Sequence, residues 1–160
     1  MSDLTSLAAS LGALLKDRGQ TVAVAESAAG GLISAALVAV PGASAYYLGG
    51  SVIYTQASRR GILHMPDEAY AGMRASTEPY ALLNARTIRD HVGATWGLGE
   101  TGATGPTGNR YGDKAGHTCI ALTGPGVSRA ITVETGHGDR VANMREFSQR
   151  ALQLLAEVLG

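Results

Sequence analysis

The sequence predicts a single three-layer α/β/α domain with a mixed sheet over residues 1–160. Three observations lead there. Short apolar runs rich in β-branched residues alternate early with segments of helical apolar spacing. Two strand-like runs then come late, joined by a tight glycine turn, which predicts a terminal antiparallel hairpin. A chain of 160 residues is a natural length for one domain.

Leu4, Leu7, Leu11, Leu14 and Leu15 recur at helical spacing, with Ser2 or Asp3 as cap and Gly19 as stop. Thr21–Ala25 reads as a buried strand. Leu32–Val40 reads as a helix closed by Pro41-Gly42. Tyr46–Thr55 is a second strand region, interrupted by Gly49-Gly50. Ser58–Leu63 is a short helix, and Pro66–Met73 another that opens on proline. Thr77 caps a longer helix to about His91. Trp96–Glu100 is a short strand, and Gly102–Gly116 a glycine-rich loop. His117–Thr123 and Arg129–Thr135 form the hairpin around Gly124-Pro125-Gly126. Asp139 caps the last helix, with Val141, Met144, Phe147, Leu152, Leu155 and Leu159 as its apolar positions.

Composition narrows the function classes. The chain is 45% hydrophobic and 16% charged, enough to bury a core. Thirteen basic residues balance thirteen acidic ones, so no nucleic-acid partner is expected. Low net charge fits self-association. Met1–Lys16 lacks a basic start and no apolar run reaches ~18 residues, so neither a secretory signal nor a membrane partner is expected. The expectation is a soluble, cytoplasmic protein. Cys119, the only cysteine, reads as a small core residue. Twenty-two glycines predict tight turns and close helix–sheet packing. His64, His91, His117 and His137 are scattered, so no metal site is expected.

Three stretches carry candidate chemistry. Ala25-Glu26-Ser27-Ala28-Ala29-Gly30-Gly31 puts a serine where a strand gives way to a helix. A serine nucleophile needs a base and donors for the oxyanion, and the amides of Ala28–Gly31 could supply the donors. The alternative is that Ser27 is only a helix cap. The flanking residues exclude the G-x-S-x-G elbow. Gly102-Ala103-Thr104-Gly105-Pro106-Thr107-Gly108 offers amides and two hydroxyls to a phosphate or sugar, or is a surface turn. Gly97–Gly102 matches G-x-G-x-x-G formally, but Gly105-Pro106 follows where a dinucleotide helix should open. Tyr54 with Arg59 and Arg60 could activate a phenol or bind an anion, or form a solvated basic patch.

Together these motifs resemble the C-terminal domain of the competence/damage-inducible CinA family, whose stand-alone members include nicotinamide-nucleotide amidases. The family's A-E-S-C-T-G-G is Ala25–Gly31 here. Its V-P-G-A-S, G-G and tyrosine are Val40–Ser44, Gly49-Gly50 and Tyr54. Its T-G-x-A-G-P-x-G is Thr101–Gly108. Lys114–Thr118 and Arg140 to Arg145 match two later motifs loosely. The resemblance implies a homodimer without cofactor that deamidates nicotinamide mononucleotide, a small-molecule nucleotide. It implies Ser27 as nucleophile, Tyr54 as proton relay and Arg59 at the family's lysine position. It further implies Glu26, Gly30, Gly31, Gly102, Thr104, Gly105, Thr107 and Gly108 around the substrate. Arginine does not lose a proton in proteins, so Arg59 cannot serve as the base that a lysine could be. Ala28-Ala29 replace the family's Cys-Thr, and Thr104 replaces an alanine. A non-catalytic nucleotide- or phosphate-binding domain is therefore the alternative expectation.

Overall fold

The computed structural model describes residues 2–160, with side chains from Leu4 onward, so the Ser2 or Asp3 cap lies outside the described side chains. Five strands form one sheet: β1 (Val22–Glu26), β2 (Tyr47–Val52), β3 (Trp96–Ala103), β4 (His117–Gly124) and β5 (Val127–Glu134). Their order is β2-β1-β3-β4-β5. β1 pairs in parallel with both β2 and β3. The β3–β4 and β4–β5 pairs are antiparallel, so the sheet is mixed and the late hairpin is present.

Alternation along the strands divides the core. Val22, Val24, Leu98, Ile120 and Leu122 pack against α1 (Ser2–Arg18), α2 (Leu32–Val38) and α5 (Arg140–Leu159). The opposite sheet face presents Ala23, Ala25, Cys119 and Ala121. There α4 (Glu78–Val92) lies almost on the backbone. A Cβ at Gly97 or Gly99 would collide with the carbonyl oxygens of Ala85 and Ala81, so only glycine permits this approach. Cys119 is buried, as its apolar run implied.

Several boundaries differ from expectation. α2 stops at Val38, before Pro41-Gly42. The third helix, α3 (Gln56–Gly61), starts before Ser58 because Thr55 and Ser58 form a reciprocal capping box. Pro66–Met73 yields only a 3-10 turn, Asp67–Tyr70. Thr77 precedes α4, but its hydroxyl donates to the Arg74 carbonyl at 2.7 Å instead of capping the helix. β3 runs on through Gly102 and Ala103, because both pair with β4. Asp139 does cap α5, accepting from the Ala142 amide. Val141, expected on the apolar stripe, is exposed.

Candidate active site

The three parallel strands end at one edge, and the candidate site lies beyond their carboxyl ends. A cleft of about 600 Å³ opens there. Ser27 follows β1, Ile53 and Tyr54 follow β2, and Thr101 and Gly102 come from the end of β3; all line it. Arg59 from α3 and Tyr80 from α4 also line it, as do Asn109, Arg110 and Tyr111. A smaller cavity of about 210 Å³ shares Tyr54, Gly102 and Asn109 with it, and adds Ala28, Thr104, Gly105, Thr107, Gly108 and Arg140. The serine, the phenol and the glycine-rich loop thus meet at one place.

Ser27 is not a helix cap. It leads a turn, and the residue capping α2 is Gly31 in the left-handed region at φ 101°. Two buried carboxylates hold this turn. Glu26 Oε1 accepts from the amides of Gly31 at 2.8 Å and Ile33 at 3.1 Å, and Oε2 from Ser34 at 2.9 Å. Glu100 Oε1 accepts from Ser27 at 3.1 Å and Ala29 at 2.7 Å, and Oε2 from the Thr118 hydroxyl at 2.8 Å. Burial pushes Glu100 up to about 7, against the lowering by the Ala29 and Ser27 amides and Thr118.

This corrects the expected oxyanion hole. Of the Ala28–Gly31 amides, Ala29 and Gly31 donate to carboxylates, and Gly30 donates to the Ser27 carbonyl at 2.9 Å. Glu26, expected around the substrate, is fully buried and turned onto backbone. Glu26, Gly30 and Gly31 line neither cavity. Their residue types serve the turn: both glycines have positive φ, 69° and 101°.

Arg59 is buried, not a solvated patch. Its Nη2 donates to Asp67 at 2.7 Å and its Nη1 to the Tyr80 hydroxyl at 3.4 Å. Its guanidinium sits 4.2 Å from the Tyr70 ring centroid. Arg60 grips the same carboxylate, and together Arg60 and Arg59 hold Asp67 down at about 2. Nε of Arg59 is buried and has no hydrogen-bond partner among the described residues.

Tyr54 stands on the exposed side. Its hydroxyl oxygen accepts from Arg140 Nη2 at 2.8 Å, while Arg140 Nη1 donates to the Gly105 carbonyl at 2.6 Å. Arg140 thereby ties the phenol to the glycine-rich loop. Sequence reasoning found Arg140 only as a loose motif match; its position directly after the Asp139 cap was the available signal. Arg74, Ser76, Tyr80 and Arg110 were missed. Asn109 was also missed, although its spacing to Asp113 suits a closed polar turn: Asn109 Oδ1 accepts from the amides of Tyr111 and Asp113. Ser76 is held at φ 63° by the Thr101 hydroxyl and His117.

The CinA C-terminal domain profile matches residues 4–159. The chain belongs to that family. A CinA-like protein of Gloeobacter violaceus is 37% identical over 96% of the chain, and one of Anaeromyxobacter sp. (strain Fw109-5) is 40% identical over 89%. The chain spans only about a third of those relatives' length, 36% and 35%. A crystal structure of a CinA superfamily protein from Klebsiella pneumoniae has TM-score 0.90 and 27% identity, covering 98% of this chain and 97% of that one. A competence or damage-inducible protein from Enterobacter asburiae has TM-score 0.91 at 27% identity, with 98% of each chain covered. Among the described residues no helix is long and apolar enough to cross a membrane.

Proposed function

We propose that this domain is an amidohydrolase that converts nicotinamide mononucleotide to the nicotinate nucleotide through Ser27. The observation that carries the reading is the single cleft lined together by Ser27, Tyr54 and Arg59. Its lining also includes Arg110, and Arg74, which is ion-paired with Asp113, and no carboxylate is among the lining residues, which suits a phosphate-bearing substrate.

In this reading the Ser27 hydroxyl attacks the carboxamide carbon. Arg59 cannot take the proton, because a guanidinium paired with Asp67 stays charged. Tyr54 supplies the relay. Arg140 donates to its oxygen, so the phenol's own proton is free to face another acceptor. Tyr54 passes that proton to the departing nitrogen and receives the one from Ser27. Ammonia leaves, and water then hydrolyses the Ser27 ester. The glycine-rich loop and Arg140 hold the phosphate or ribose in the smaller cavity.

Incubation with nicotinamide mononucleotide is expected to release ammonia, and Ser27→Ala to lower that release at least about 1,000-fold. Equal release from both proteins overturns the reading. A second reading, nucleotide binding without turnover, is favoured by one observation: Arg59 is spent on Asp67, Tyr70 and Tyr80. Calorimetric binding of nicotinamide mononucleotide with no ammonia release would select it.

A further inference from the structure

Glu100 lies outside the cleft lining and outside the proposed chemistry, yet it holds the backbone of the proposed nucleophile. Its side chain is 1% exposed, and its Oε1 accepts from the Ser27 and Ala29 amides. Burying a carboxylate is costly, and a neutral acceptor of the same shape would also bond two amides. An acid at this place calls for a reason.

Thr118 supplies one. Its Oγ1 lies 2.8 Å from Glu100 Oε2 and 3.1 Å from the Thr101 carbonyl oxygen. With the carboxylate ionised, the hydroxyl donates to Oε2. With the carboxyl protonated, Glu100 donates to the hydroxyl, whose own proton turns to Thr101. Both proton states are therefore hydrogen-bonded without rearrangement. What changes is the grip on the turn, because a charged acceptor holds an amide about twice as strongly as a neutral one.

We propose that Glu100 is the positioning residue for Ser27: ionised, it fixes the Ser27–Ala29 turn through two amides, and a proton loosens that hold. The inference rests on the Ser27 reading above. Among the described residues Glu26 on β1 is the ionisable group that faces Glu100 and adds to its upward shift. β4 presents the neutral Thr118. The buried residues of α2 (Ile33, Ala36, Leu37) and of the first turns of α5 (Asn143, Phe147, Ser148) carry no charge. Burial brings the exchange to about pH 7, so pH 6 and pH 8 populate different states.

The test is Glu100→Gln, which keeps the shape and the Oε1 acceptor but has no proton to exchange. In the wild-type protein the Ser27 and Ala29 amide resonances are expected to titrate with a midpoint near 7, and in E100Q they stay still. Wild-type kcat on nicotinamide mononucleotide falls about tenfold from pH 8 to pH 6 at unchanged KM, while E100Q is flat near the acid value. Thr118→Val strips the ionised carboxylate of a donor and moves the midpoint upward. A merely structural acceptor would leave E100Q with the wild-type pH profile. That result, or amide titration persisting in E100Q, overturns the proposal. Amide titration lost in E100Q without ammonia release from any variant supports the grip on the turn and rejects the amidase reading.

Discussion

The two walls of the cleft are built on opposite plans. The Ser27 wall is anchored from beneath by Glu26 and Glu100, both buried, both turned onto backbone amides. The Tyr54 wall is held from the solvent side by Arg140, through one side-chain bond and one carbonyl bond. The first wall spends buried charge on geometry, so its failure is a failure of folding. The second spends exposed charge on contacts a ligand can replace. The contrast teaches that the wall carrying Ser27, the proposed nucleophile, is fixed before any ligand arrives, whereas the wall held by Arg140, proposed to face the phosphate, is adjustable.

Removing an anchor gives the largest expected effect. Glu26→Ala leaves three backbone donors without their acceptor, at roughly 3–5 kcal/mol. Calorimetric melting is expected to show a Tm lower by about 10 °C. A change under about 2 °C would mean the turn holds itself. Next comes the pH dependence of the other anchor. Glu100 rises from the ordinary 4.5 to about 7 in the fold, so the native state binds the proton more tightly than the unfolded one. Its stabilising contribution is full below about 4.5 and is lost as pH rises through about 7. E100Q is thus expected to gain on wild type between pH 5 and pH 8, by roughly 3 kcal/mol at most. Parallel Tm curves for the two proteins would remove the contrast in proton affinity.

The sequence disclosed these walls unequally. Ser27, Tyr54 and the Thr104–Gly108 loop were legible because each sits in a local pattern: a strand end, a glycine cluster. Close helix–sheet packing was expected from the glycine count alone; that it falls at Gly97 and Gly99 beneath α4, where there is no room for a Cβ, was not legible. Nor was the role of Glu26 and Glu100. Whether a carboxylate at a strand end faces solvent or a turn depends on β1–β3 register, and Glu100 reaches Ala29 across 71 residues. Tyr54 and Arg140 meet across 86 residues, a separation at which no periodicity operates. Whether Arg59 activates a phenol, binds an anion or is solvated stayed open in the sequence, because its partner Asp67 and its ring Tyr70 lie in a segment whose expected helix is only a 3-10 turn.

An amine at position 59 of the shared cleft would sharpen the contrast between the walls. Arg59→Lys puts a deprotonable amine where the family carries lysine, and ammonia release is expected to rise about tenfold. The same change gives up the guanidinium's paired contacts to Asp67 and Tyr80, so a Tm lower by a few degrees accompanies it. A fall in turnover at unchanged binding would instead mark Arg59 as the prop of its wall.

The smallest effect is expected where the cleft is adjustable. Arg140→Lys keeps the positive charge but cannot reach Tyr54 and Gly105 with two fixed donors at once. One of the two contacts is lost, and water, available at this exposed position, takes its place. Tm is therefore expected to move by less than about 2 °C, because surface pairs of this kind contribute little. Ammonia release should fall about three- to tenfold, with the loss in KM if Arg140 serves the loop and in kcat if it orients the Tyr54 proton. Steady-state kinetics separates the two. A stability loss matching that of Glu26→Ala would show that both walls are anchored alike, and the division between a fixed nucleophile wall and an adjustable ligand wall would fall.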